Sequence, residues 1–297
     1  MSETSLQHDS REREATSARR DVRLPVGDHR WTVLAPVTIA WHHRELILAV
    51  LRRQLADRFS GSLFGWVWAI ASPLITLAIY TVTFAGALRL PVASARGGAI
   101  NYALSTFAGL IVFNLCAELC YRAPLLLHEH FAYLKTSIFP SETLAWTAVL
   151  RSLTYAGISL TLLLIFLLGV NRTLPATVLF LPFLVVPLVL LLLGLVWCLA
   201  ALGAFTRDIA YLMITIVPVL MFATPVFYRM SDIPQGFRTF AYLSPIATAI
   251  DMIRNILIDG VLPPLWLYAG FVVVALLVCR GGYAVFERYK GILVDVI

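Results

Sequence analysis

The chain has 297 residues, 60% of them hydrophobic and only 13% charged, with a mean hydropathy of +0.83. Soluble domains carry roughly a quarter charged residues, so this chain cannot clothe itself in polar groups and lipid must be its main solvent. The net charge of +6 does not indicate nucleic acid, because the arginines gather near the N-terminus and at the ends of apolar runs, as orientation signals do.

Residues 1–30, including "REREATSARRD", lack apolar periodicity and are expected to be disordered. They do not resemble a cleavable signal peptide. Residues 1–43 are read as a polar, mostly disordered extension, and 44–297 as one membrane domain. In "RELILAVLRRQLADRF" (44–59), Leu48, Leu51, Leu55 and Phe59 form a stripe, with Arg52, Arg53, Asp57 and Arg58 on other faces. This predicts an amphipathic helix along the inner membrane surface; a soluble helix docked on a partner is the alternative.

Six apolar segments follow, near 64–88, 100–122, 142–169, 175–204, 208–228 and 264–285. Each meets the ~20-residue length of a membrane crossing. Prolines 73, 182, 187 and 218 fall inside them, and each is expected to mark a bend. With the N-terminus inside, the inner flanks carry more Lys and Arg than the outer ones, which places both termini in the cytoplasm. The fold class is therefore all-α and integral to the membrane, with an N-terminal interfacial helix.

Residues 229–263 then form an outward-facing helical hairpin between the fifth and sixth spans. Within "YLSPIATAIDMIRNILIDG" (242–260), Ile246, Ile250, Ile253 and Leu257 form one stripe at helical spacing. That helix is expected to lie at the outer interface with its aliphatic face toward the bundle or lipid, either as an anchor or as an outer gate over a pathway. Trp266 and Tyr268 open the last span at headgroup level.

Several chemistries are excluded. The two lysines, Lys135 and Lys290, follow Leu134 and Tyr289, so the Gly-Lys-Ser/Thr of a phosphate-cradling loop is absent. There is no Gly-x-Ser-x-Gly elbow. His128 and His130 would point about 200° apart on a helix and could not share a metal. Cys116 and Cys120 share a helix face but have no further ligands beside them, and are read as packing residues. No metal or cofactor site is expected in this chain.

Two ionisable groups lie inside spans. Glu118 comes late in the second span and Arg151 early in the third, at similar depth in the inner half of the bilayer. They are expected to pair, since a lone charge there costs several kcal/mol. The pair reads as a pin between two spans, with a transport role as the alternative. Gly61 and Gly65 suit either a close helix approach or a flexible entry into the first span.

Four stretches carry a family resemblance. "RFSGSLFGWVWAIASPLITLAIYTVTF" (58–84) resembles the entry to the first span of ABC-type polysaccharide exporter permeases, which move O-antigen, teichoic acid or capsule chains. "AYLKTSIFPSETLAWTAVL" is similar to their inner loop before the third span, and "LGAFTRDIAYL" to the inner turn before the fifth. "TPVFYRMSDIP" with "YLSPIATAIDMIRNILIDG" resembles their outer hairpin, Ser244-Pro245 replacing the commoner Asn-Pro. The resemblance covers about residues 44–297.

The resemblance implies two copies of this chain and two copies of a separate ABC ATPase subunit, which binds the ATP and Mg. It implies that the 123–141 segment, with His128, Glu129, Phe131, Tyr133 and Lys135, docks into a groove on that ATPase. Arg207 and Asp208, in the short inner turn, either touch the same partner or satisfy helix ends. Arg52, Arg53 and Arg58 are candidates for contact with the diphosphate of a lipid-linked polysaccharide.

Sugar rings have apolar C–H faces, so aromatics are candidates for the path: Trp66, Tyr80 and Phe84 in the first span, Tyr211 and Phe222 in the fifth. Interface belts and lipid-facing packing are the alternative for these rings. The expected location is the bacterial cytoplasmic membrane, in contact with lipid and not with nucleic acid. The rival functions are a related permease for a drug or lipid, and an integral membrane transferase.

Overall fold

A computed structural model describes residues 35–58, 61–83, 98–130 and 140–296. Among the described residues all regular structure is helical. In chain order the helices are α1 (Ala35–His42), α2 (Arg44–Asp57), α3 (Val67–Val82) and α4 (Gly98–Arg122), then a 3-10 turn (Ala123–Leu125) and α5 (Leu126–Glu129). There follow α6 (Glu142–Asn171), a 3-10 turn (Ala176–Phe180), α7 (Leu181–Phe205) and α8 (Asp208–Ala223). The chain closes with α9 (Gln235–Leu243), α10 (Pro245–Arg254), a π-helical turn (Asn255–Asp259) and α11 (Leu265–Val296).

Four stretches are long and apolar enough to cross a membrane: Ile100–Glu129, Glu142–Asn171, Ala176–Phe205 and Leu265–Tyr289. The expected first and fifth spans are represented by α3 and α8, apolar helices of 16 residues each. At 1.5 Å per residue that is about 24 Å, against a hydrocarbon core of about 30 Å.

The helix α4 is the core of the bundle. Ala103 to Ala108 are all buried, two of them the hydroxyl residues Ser105 and Thr106. With little polar surface to turn toward water, the helix is enclosed along most of its length, Asn114 and Glu118 marking its one open side. Of the apolar stretch within Ile100–Glu129, 78% is buried against other helices, compared with 11% for Glu142–Asn171. α3, α6, α8 and α10 all pack on α4.

α7 and α11 form the most extensive helix pair. Gly194 and Gly282 face each other across it, and a Cβ on Gly282 would strike the Gly194 carbonyl oxygen. Next to this contact the Trp197 and Tyr283 rings meet edge to face at 5.2 Å. Removing side chains at one level brings the backbones together, which brings every neighbouring side chain into dispersion contact.

The structure refines several expectations. Pro73, Pro187 and Pro218 do lie inside helices, but Pro182 sits in the first turn of α7, where its missing N–H has no helical partner to lose. Gly61 and Gly65 have φ of +79° and +48°, and a Cβ on either would meet nothing within 4 Å. They turn the chain into α3 and do not pack against a helix.

The buried face of α2 is also rotated from the expected stripe. Ile47 is buried while Leu48 is exposed, because Gln54 and Arg58, on the Ile47 side, reach partners on other helices. The other difference is at α10. Ile250, Ile253 and Leu257 are buried and Ile246 half-buried, but Thr248, Met252, Arg254 and Ile256 are buried too. A helix covered on nearly every face is sunk into the bundle, with its aliphatic stripe turned toward the other helices.

Candidate functional site

Two groups of predicted residues gather at opposite ends of the bundle. At one end, Arg151 Nη2 donates to Glu118 Oε1 at 3.1 Å, joining α4 to α6. The same oxygen accepts from Arg58 Nη1 at 3.2 Å, so the chain after α2 is tied to the same point. The Arg58 guanidinium also lies over the Tyr155 ring, 4.0 Å from its centroid. Arg58, expected to meet a headgroup, is thus engaged by Glu118 and Tyr155. Arg52 and Arg53 are exposed, and Arg53 pairs with Asp57 one turn away at 3.8 Å.

Geometry ranks these contacts. Arg151 has 9% of its side chain exposed and Arg58 has 42%. Water screens the second pair, which contributes up to about 1 kcal/mol; the first is the one the fold cannot leave unmatched. The cluster stands between two cavities. One, of about 420 Å³, is lined by Ser72, Asn114, Ser152 and Tyr155. The other, of about 650 Å³, is lined by Gln54, Arg122, Glu129 and His130.

The described coupling candidates lie at this same end. The Ala123–Leu125 turn is wedged against α7, where a Cβ on Gly203 would strike Pro124. That places His128 and Glu129 near the α7–α8 turn, where Arg207 and Asp208 are both exposed. The Phe205 and Tyr289 rings, 5.2 Å apart, bring the distal part of α11 there as well. Phe131, Tyr133 and Lys135 lie outside the described residues.

His130 Nδ1 is 3.0 Å from the Leu126 carbonyl, which can only accept, so the proton belongs on Nδ1. Nε2 is then the acceptor for the Gln54 amide at 3.1 Å. His130 thereby links α5 to α2. Nearer the start of α2, burial and the neighbouring His42 lower the pKa of His43, which is therefore predominantly neutral at pH 7.

At the opposite end the chain breaks after α8. The Phe227 ring lies 5.9 Å from Tyr80 and 5.7 Å from Phe222, so two of the path candidates, on different helices, meet through a third ring. Phe84 lies outside the described residues. Trp66 and Tyr211 stand at the other ends of α3 and α8, both exposed. Phe227 was not singled out in the sequence; its position in an irregular segment leaves no periodicity to mark it.

Nor was Arg254, which counts in the sequence as one more flanking charge. It is 4% exposed. Nε donates to Ser105 O at 2.9 Å, Nη1 to Pro225 O at 2.6 Å and to Tyr228 O at 2.9 Å, and Nη2 to Val226 O. Burial, reinforced by Arg229, lowers its pKa to about 10, so it remains charged at pH 7. Desolvation raises the nearby Asp251 carboxyl, an effect that Arg254 partly offsets. Arg229 forms a fork with Asp259, two of its contacts at 3.2 Å.

Comparison with known proteins places this architecture. The family model described as "ABC-2 type transporter" matches residues 45–258. An O-antigen export system permease protein RfbA from Klebsiella pneumoniae is 22% identical over 220 residues, covering 73% of this chain and 82% of that protein. A protein of the same description from Myxococcus xanthus is 23% identical over 193 residues, 65% of this chain and 72% of its own length.

Proposed function

Since the chain belongs to the ABC-2 type transporter family, we propose that it is the membrane subunit of an ATP-driven exporter of lipid-linked polysaccharide across the bacterial cytoplasmic membrane. It works as a homodimer with a separate ABC ATPase that holds ATP and Mg, and both its termini are cytoplasmic. O-antigen is the cargo class favoured by the relatives, with capsule and teichoic acid chains as the other members of the polysaccharide class. The carrying observation is the family match over residues 45–258, joined to relatives named as O-antigen export permeases.

The mechanism follows from which parts can move together. Closure of the ATPase pair pushes on the 123–141 segment and on the Arg207–Asp208 turn. The Ala123–Leu125 wedge passes that push to α7, and the Glu118 cluster passes it to α2, α4 and α6. The spans tilt and open a path between the two copies, lined by the exposed faces of α3 and α8. Arg52 and Arg53 remain in place to meet the diphosphate, and Ile246, Ile250, Ile253 and Leu257 form part of the outer gate.

Two measurements test this reading. Co-expressed with a candidate ABC ATPase and reconstituted in liposomes, the chain should support ATP hydrolysis that lipid-linked glycan stimulates. Stimulation by a drug or a simple lipid instead would move the cargo assignment. Export by the chain alone, with no nucleotide-hydrolysing companion, would overturn the mechanism. Separately, Tyr80→Ala combined with Phe222→Ala should lower export about tenfold, as expected for ring contacts of ~0.5–1.5 kcal/mol each, while leaving basal hydrolysis in place. Undiminished export would show that the rings only pack.

A further inference from the structure

The break after α8 exposes peptide carbonyls that no helix satisfies, and in an apolar setting each has to find a donor. Four in succession do so through side chains of other elements. Arg254 takes those of Pro225, Val226 and Tyr228, and the Tyr102 hydroxyl takes that of Phe227. The Tyr228 hydroxyl turns back to the last α8 carbonyls, Phe222 and Ala223, at 3.2 Å each. The guanidinium is itself held on α4 by Ser105, where Gly109 leaves it room: a Cβ there would lie 2.5 Å from Nη2.

The result is a segment with no regular structure and little freedom. With the carbonyls on both sides of Phe227 drawn toward α10 and α4, the remaining direction for its ring is toward Tyr80 and Phe222. We propose that Arg254 is a positioning residue for the outer end of the path, and that Phe227 is the third ring it holds there, completing an aromatic platform for the apolar face of a sugar unit. This rests on the polysaccharide reading above. A single charged group spanning three carbonyls also makes the Phe227 segment and α10 one body, so movement of the outer helix carries Phe227 with it.

The test separates position from transport. In the full chain with its ATPase, Phe227→Cys is probed from the outer side with a membrane-impermeant maleimide, alone and combined with Arg254→Lys or Tyr102→Phe. Lysine keeps the charge but cannot fork across three carbonyls. Tyr102→Phe removes the hydrogen bond to the Phe227 carbonyl while leaving all three held by Arg254, and is the milder of the two. Labelling is expected to rise about tenfold with Arg254→Lys and less with Tyr102→Phe, with Ser231→Cys unchanged as the control. Unchanged labelling in folded double variants would overturn the positioning role.

Export supplies the second arm. Phe227→Ala is expected to lose export about as far as Tyr80→Ala, and Phe227→Tyr to retain it. If Tyr80→Ala and Phe222→Ala lose export while Phe227→Ala does not, the third ring is wrong and the path stands. If all three are dispensable, the path reading and the platform fall together, while the labelling result still decides what Arg254 holds.

Discussion

Gly282→Ala is expected to remove most of the folded protein, while Gly281→Ala, one residue earlier, leaves it intact. The two glycines are adjacent on α11 and differ only in what they face. A Cβ on Gly281 meets nothing within 4 Å, whereas one on Gly282 would overlap the Gly194 backbone across the α7–α11 contact. Backbone cannot rotate out of the way as a side-chain end can. The two helices must therefore separate, and the Trp197–Tyr283 contact beside the glycines is lost with their fit. The cost should be at or above the upper end of the ~1–3 kcal/mol seen for overpacked cores. Gly281→Ala should instead gain up to about 1 kcal/mol of helix propensity. Expression level, monodispersity in detergent and the thermal midpoint decide between these outcomes; equal behaviour of the two variants would mean that α7 and α11 do not meet at this level.

Glu118→Ala is expected to be more damaging than loss of either arginine that it serves. Glu118 is the shared acceptor, so its removal leaves Arg151 buried without its carboxylate and frees Arg58 from α4 at the same time. Removing one member of a buried pair costs about 3–5 kcal/mol. Arg151→Met leaves Glu118 still paired with Arg58 and should cost less. Arg58→Gln, at a side chain 42% exposed, should cost within about 1 kcal/mol. The double variant Glu118→Leu with Arg151→Met removes both charges and should recover part of the loss from Glu118→Ala. Thermal midpoints of the five proteins, wild type included, give the ranking, and a Glu118→Ala no worse than Arg58→Gln would show that the shared oxygen carries little.

If the Glu118 cluster also transmits motion, the same series has a second consequence. Arg58→Gln, though mild for stability, should weaken the coupling of ATP hydrolysis to export, because Arg58 ties the chain after α2 to α4. A ratio of export to hydrolysis equal to that of the wild type would limit the cluster to holding the bundle together.

What could be read in the sequence is what depends on sums over neighbouring residues. Low charge and long apolar runs determine that lipid is the solvent, and the length of those runs determines the membrane helices. The depths of Glu118 and Arg151 along consecutive spans are enough to set them at one level. Tertiary structure decided the rest. Nothing local distinguishes Gly282 from Gly281, because the difference is the backbone of another helix. Nothing local marks Arg58 as a partner of Glu118, sixty residues away. Arg254 in the sequence is a charge on a short amphipathic helix, and such charges ordinarily face water. Its burial follows only once the chain breaks after Ala223 and carbonyls in apolar surroundings require a donor that two tyrosines cannot fully supply.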